Sequence, residues 1–267
     1  IGRIARQPNF DAIFSNFANN INPDIQNEEI SSIEIGYGYI GESLKVNINA
    51  YSTNWGNRFI SRGFSNAQGE DGTAQFKDVD VSHKGVEVEA DWRPNNISRV
   101  RGMLSIGDWR YTKDFDAQLF NDQQQSIGTA TLYTKDAKVG DAAQFVAYLG
   151  YERRIGSNLN IDLDYRFVDG LYADYSITDS DFTNATNKGA LKLPSYGLVD
   201  LGATYYMGGN LSMRLNINNL FNTVYIAEPN SNIHASSDSQ KWNGIDTRNY
   251  VWFGFGTTWN MSLRYRF

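Results

Sequence analysis

Cysteine is absent from the chain, proline occurs five times, histidine twice, and no long apolar run is present. Lacking cysteine, the protein has no disulfide framework and no thiolate metal centre. His83 and His234 have no ligand-spaced neighbours. A metal site gathers several His, Cys or carboxylate groups, so neither a metal nor another cofactor is expected. A net charge of -6, a pI near 5.0 and the lack of any Lys/Arg cluster remove the basic face that nucleic acid requires. No nucleophile elbow, paired-carboxylate signature or Gly-rich phosphate loop stands in a fitting context, and no enzymatic activity is expected. No stretch approaches the ~18 apolar residues of a membrane helix, and mean hydropathy is -0.48. Strands that place an apolar residue at every second position escape that test. The chain begins at Ile1 with no charged, apolar and small-residue leader, so any signal peptide is expected to be missing or removed.

What the chain has is aromatic alternation. From Val251 the alternate positions Phe253, Phe255, Trp259, Met261, Leu263, Tyr265 and Phe267 are apolar, with Thr257 the exception. Gly254, Gly256, Thr258, Asn260, Ser262, Arg264 and Arg266 interleave with them. A period of two predicts a strand with one oily and one wet face, and this one exceeds the roughly 9–11 residues that cross a bilayer in a barrel.

The same pattern recurs upstream. Expected strands run over 28–40, 44–60, 84–93, 100–113, 143–155, 159–175, 196–207 and 211–226, after a stub at 1–7. Tight turns at 41–43, 94–96, 156–158 and 208–210 alternate with long polar connections, among them 63–75, 114–140, 176–193 and 227–247. Short turns on one rim and long loops on the other form the outer-membrane barrel pattern, with the short rim in the periplasm. The predicted fold is therefore all-β, a transmembrane antiparallel barrel. Single-chain bacterial barrels have even strand counts, so nine whole strands and a stub are expected to be the C-terminal part of a larger one.

The segments RIARQPNF, NPDIQNEEISSIEIGYGY, GVEVEADWRP, LSIGDWRY, VGDAAQF, LPSYGLVDLGATY, LNINNLFNTVYI and WFGFGTTWNMSLRYRF, in this order, resemble the C-terminal part of TonB-dependent outer-membrane receptors, especially Bacteroidota-type ones. NNLFNTVY followed by an aromatic-ended last strand is the most specific combination. The resemblance implies a 22-stranded barrel in the bacterial outer membrane, with residues 1–267 forming its C-terminal nine to ten strands. It also implies an N-terminal plug and TonB box that this chain does not match. The implied activity is uptake of a scarce nutrient (an iron-siderophore, cobalamin, a peptide or a glycan) driven by the TonB complex. Tyr265 and Phe267 resemble the signal read by the barrel-assembly machinery; they also suit an aromatic belt. A surface lipoprotein is a further implied partner. A passive porin-like or adhesive barrel is the alternative, and a soluble β-sandwich binding module a third reading.

The alternation assigns Glu34, Lys45, Glu87, Glu89, Asp91, Asp162, Asp164, Arg166, Asp200, Arg214, Arg264 and Arg266 to the lumen, where they would line water or hold a plug. Charge facing lipid at mid-depth would cost about 2–4 kcal/mol. Continuing the parity upward selects Tyr51, Trp55, Trp109, Tyr111, Tyr172 and Asp174 as ligand contacts, since aromatics in a wet funnel suit amphipathic or ring-bearing molecules. Packing beneath the loops is the equal alternative. Tyr39, Trp92, Tyr165, Tyr205 and Tyr265 are expected to be interfacial anchors.

Overall fold

A computed structural model describes residues 1–14, 21, 25–65, 69–175, 178–179, 182–208 and 210–267. Most of the Asn-rich connection at 14–24, the tip at 66–68, parts of 176–181 and the turn residue 209 lie outside them.

Ten strands follow one another in a single antiparallel sheet. They are β1 (Gly2–Arg6), β2 (Glu28–Ile40), β3 (Leu44–Ser65), β4 (Asp71–Asn95), β5 (Ser98–Tyr111), β8 (Phe145–Ile155), β9 (Leu159–Asp169), β10 (Tyr196–Tyr206), β11 (Leu211–Asn218) and β16 (Thr258–Tyr265). A four-residue helix α1 (Phe10–Ile13) follows β1, capped by Asn9. Side chains in register share a face. One cross-strand row reads Lys45, Asp91, Arg101, Gly150, Asp164, Asp200. The adjacent row, on the opposite face, reads Tyr39, Val46, Ala90, Gly102, Leu149, Tyr165, Val199. The expected parity therefore holds across the sheet.

The apolar face is uncovered. Ile35, Trp259 and Leu263 are each about 70% exposed (73%, 71% and 68%). Leaving such side chains in water forfeits roughly 1.5–3 kcal/mol each, so this face is built for hydrocarbon. Among the described residues the remaining sheets are two-stranded pairs, β12 (Ile226–Pro229) with β15 (Val251–Phe253) and β13 (Lys241–Trp242) with β14 (Ile245–Asp246). Neither is a second layer, so the β-sandwich reading does not hold.

The long-loop side is more ordered than its composition suggests. The connection expected at 63–75 is, in its described residues, mostly the paired upper part of β3 and β4. The expected connection 114–140 contains β6 (Phe115–Asn121) and β7 (Ser126–Leu132), and β6 pairs with β4. These upper strands close a core of Ala74, Phe76, Val79, Tyr111, Phe115 and Tyr175. A second core joins Leu171, Leu193, Ile226 and Ile245. β9 stops at Asp169 rather than Tyr175 because Gly170 turns to φ 63°.

The closing strand, expected to be continuous from Val251, is broken between β15 and β16, and β11 ends at Asn218 rather than Ile226. Asn219 and Asn222 adopt φ 50° and 52° there, in the left-handed region that asparagine tolerates. Irregular backbone at membrane depth survives only if its polar groups are satisfied internally. Asn219 does this: its amide group donates to Thr223 O (2.9 Å) and Phe255 O (3.1 Å) and accepts from Thr223 N (2.8 Å). Its own N–H donates to Asp200 Oδ1 (2.7 Å), and its carbonyl accepts from Thr257 Oγ1 (2.7 Å). Asn222 Oδ1 accepts from Thr257 N at 3.0 Å. The NNLFNTVY segment is thus a hydrogen-bonded knot in the wall.

Asn219→Ala strips three hydrogen bonds from a buried junction and should cost about 3 kcal/mol. Asn218→Ala, which loses one exposed bond to Thr258, should cost under about 1 kcal/mol. Unfolding midpoints of the detergent-solubilised full-length barrel will check both; equal losses would remove the knot's special role.

Candidate ligand-binding site

Two glycines open the wall for two aromatic rings. On the polar face one row reads Glu34, Tyr51, Gly85, Gly107, and the row above it Thr53, His83, Trp109. A Cβ on Gly85 would stand 2.5 Å from the Tyr51 hydroxyl and 2.7 Å from Ile106 O. A Cβ on Gly107 would stand 2.8 Å from Trp109 Nε1. The rings therefore lie over the bare glycine backbone. Trp109 Nε1 donates to the Tyr51 hydroxyl at 3.0 Å, and the His83 ring meets Trp109 edge-on at 5.4 Å.

Gln144 holds this plate in position. Its buried side chain accepts from Trp109 N (3.1 Å) and donates to Trp109 O (3.0 Å), continuing the ladder one step beyond β8. The result is a half-buried aromatic surface with a hydroxyl, an indole N–H and an imidazole at its edge. Such a surface stacks rings and hydrogen-bonds their substituents.

The other four ligand candidates are not gathered here. Trp55 donates to Glu28 Oε2 at 3.0 Å, lies under the Arg58 guanidinium (4.5 Å to the ring centre) and packs on the first core. Tyr111 is buried in that core against Phe115 and Tyr175. Tyr172 follows the turn at Gly170 and its ring centre lies 5.8 Å from the Lys138 ammonium, which donates to Asp108 (2.5 Å) and Gln144 (3.0 Å). Asp174 is ion-paired with Arg62. Gly170, at φ 63°, interrupts the strand before Tyr172 and Asp174, so the alternation of β9 does not carry across it to either residue.

Lower on the polar face the charges form a cross-strand network. Arg214 grips Asp162 through both carboxylate oxygens at 2.8 and 2.9 Å. Asp164 takes the Tyr148 hydroxyl and Arg101 (3.4 Å). Asp91 binds Arg99, and Asn160 donates to Glu152 at 2.6 Å. Glu34, Lys45, Glu87, Glu89, Arg166 and Arg264 form no ion pair among the described residues. Arg99, Arg101, Tyr148 and Glu152 were not foreseen. Their signal was present, since each alternates with Val100, Gly102, Leu149 or Tyr151, but Met103 and Val146 put apolar side chains on the wet face and blurred it. On the apolar face Tyr39, Trp92, Tyr205 and Tyr265 lie close to the tight turns and Tyr165 nearer mid-strand, over Gly197. Tyr265 and Phe267 are exposed, their rings edge-on at 5.3 Å.

Two carboxylates set the electrostatics of the connections. Asp246 is held well below the usual range by the Arg248 guanidinium and the Ser239 hydroxyl (2.5 Å), which ties down 239–248. Asp141 is raised to about 6, first by loss of water where Gly140 backs onto residues 173–174, then by Asp174 and Glu228, with Arg62 opposing. A raised carboxyl favours the folded state most below its unfolded value and loses that contribution as pH rises through about 6. The wild-type unfolding midpoint should match that of Asp141→Asn in mild acid, near pH 4, and fall below it above pH 6. Matching midpoints on both sides of that value would refute the shift.

Residues 1–220 match the family model described as TonB dependent receptor-like, beta-barrel. The ferrioxamine B receptor of Salmonella typhimurium (strain LT2) is 28% identical over 169 residues, covering 61% of this chain. The chain spans 20% of that relative's length. Among solved structures, the copper transporter OprC superposes with a TM-score of 0.67 at 16% identity, covering 100% of this chain and 37% of its own. The siderophore receptor PiuA of Acinetobacter baumannii gives 0.65 at 15%, covering 98% and 32%. At these identities the structures speak for the fold alone. The register, the oily outer face and the family match agree: this chain belongs to the TonB-dependent receptor-like β-barrel family.

Proposed function

We propose that the protein of which this chain forms part imports a scarce nutrient across the bacterial outer membrane, powered by the TonB complex acting on a segment outside residues 1–267. The observation that carries this reading is the division of wet and oily residues that recurs along the ten-strand path, with few exceptions such as Met103 and Val146, in a chain of this receptor family. In this reading the tight turns and Phe267 are periplasmic and the long connections extracellular. The unpaired Glu34, Glu87, Glu89, Arg166 and Arg264 then face a plug domain or the water around it, and a surface lipoprotein would sit over the loop layer. The barrel-assembly machinery would read Tyr265 and Phe267.

The cargo class best supported is an iron-siderophore, because the curated relative it matches is a ferrioxamine receptor and the Tyr51–Trp109 plate suits ring-bearing or amphipathic chelates. A passive pore would need no plug and no energy.

In the full-length receptor, uptake of labelled ferric siderophore should cease when the TonB complex is deleted; uptake that persists would favour the passive barrel. Trp109→Ala and Tyr51→Ala should each weaken cargo binding about tenfold, the worth of one aromatic contact, without lowering the receptor's level in the membrane. Unchanged affinity would remove the plate from the site.

A further inference from the structure

Immediately above the aromatic plate the wet face carries a cation without a counter-charge. The next same-face row, roughly 7 Å along the strands from Thr53, His83 and Trp109, is Trp55, Val81 and Tyr111. Beyond Trp55 the register of β3 against β4 shifts, with Asn57 at φ 55° and its N–H bound to Asp80 Oδ1 at 3.0 Å. Past this bulge Arg58 folds back, its Cζ 4.5 Å from the centre of the Trp55 ring. From there its charge reaches His83 on one side and Tyr111 and Tyr175 on the other. The guanidinium therefore stands between the plate and the first core.

Arg58 is half-buried and forms no ion pair among the described residues. The carboxylates around it are engaged elsewhere. Glu28 accepts from Trp55 Nε1 (3.0 Å), Asp80 pairs with Lys113 (2.8 Å), and Asp174 pairs with Arg62. A guanidinium drawn partly out of water with only an indole face against it is incompletely compensated. Lower on the same face Arg99, Arg101 and Arg214 each meet an aspartate. Arg166 and Arg264 are unpaired too, but they stand on β9 and β16, away from the plate.

We propose that Arg58 selects the cargo by charge, and that the cargo is an anionic, ring-bearing iron chelate of the catecholate kind. This deepens, and rests on, the siderophore reading above. An aryl ring of the chelate stacks on the Tyr51–Trp109 plate while its phenolate oxygens accept from the guanidinium one row higher. Glu34, in register with Tyr51, puts a carboxylate at the lower edge of the plate, so the anionic end is held uppermost. A trihydroxamate chelate with an ammonium tail has no ring for the plate and brings a like charge to Arg58. A carboxylate-only chelate would match the charge and leave the plate unused.

The test uses the full-length receptor in detergent at about 0.15 M ionic strength, with binding of a ferric tris-catecholate and of a ferric trihydroxamate bearing an ammonium tail read through labelled iron. Wild type should bind the catecholate at least about tenfold more tightly, the effect of one charge-assisted hydrogen bond. Arg58→Gln should weaken the catecholate about tenfold and leave the trihydroxamate unchanged. Arg58→Lys, which keeps the charge, should retain part of the preference and guards against a merely misfolded Gln variant. Raising the salt should weaken the catecholate alone. Equal affinities in wild type, a preference for the trihydroxamate, or equal weakening of both chelates by Arg58→Gln would overturn the assignment, the last leaving Arg58 as packing on Trp55. Uptake is measured in parallel. TonB-dependent uptake of the trihydroxamate without catecholate preference sinks only this assignment, and catecholate preference without TonB-dependent uptake sinks only the transport reading.

Discussion

A peptide group left without a hydrogen-bond partner in hydrocarbon costs several kcal/mol, and the wall is arranged so that its ladder supplies those partners. That requirement explains the long register-matched strands, because each added strand satisfies the edge of the last. It also explains the knot at Asn219. Where β11 and β16 give up their ladder, side-chain amides and hydroxyls replace the missing backbone partners. Asp200, charged and on the wet face, is committed to the same junction through Asn219 N.

With the backbone satisfied, side chains are free to specialise by face. The oily face makes no demands beyond apolar contact, so Ile, Leu, Val and aromatics fill it almost interchangeably. The wet face is more selective. Carboxylates and guanidinium groups pair across strands low in the wall, whereas higher up glycine replaces them and lets Tyr51 and Trp109 lie flat on the backbone. Above the apolar band the same chain builds small hydrophobic cores of a soluble kind, and these order connections that composition marks as loops. One molecule thus meets two solvents, and its packing changes character at the border between them.

Legibility followed the same border. Between tight turns, alternation is a local property: each residue's face depends only on its neighbours, so Asp162, Asp164, Arg214 and their oily partners could be assigned without knowing the fold. Gly156 marks its turn by the same local logic, at φ 62°. Above the strands, assignment depended on positions where the chain turns left-handed. Asn57, Asp78, Gly170 and Asn219 reset the parity, and nothing in composition distinguishes them from other asparagines, aspartates and glycines. That is why the alternation of β9 could not be carried past Gly170 to Tyr172 and Asp174.

By itself the sequence determined most of the wall strands, their two faces and the four tight turns, because period-two alternation and turn residues act over a few positions; the family was legible only in the resemblance of its segments. Only the tertiary structure decided that β6 and β7 extend the sheet above the band, that the last strand breaks around Asn219, and that Gly85 and Gly107 create room for an aromatic plate. Those outcomes depend on which distant backbone lies alongside, and pairing between residues far apart in sequence leaves no local trace.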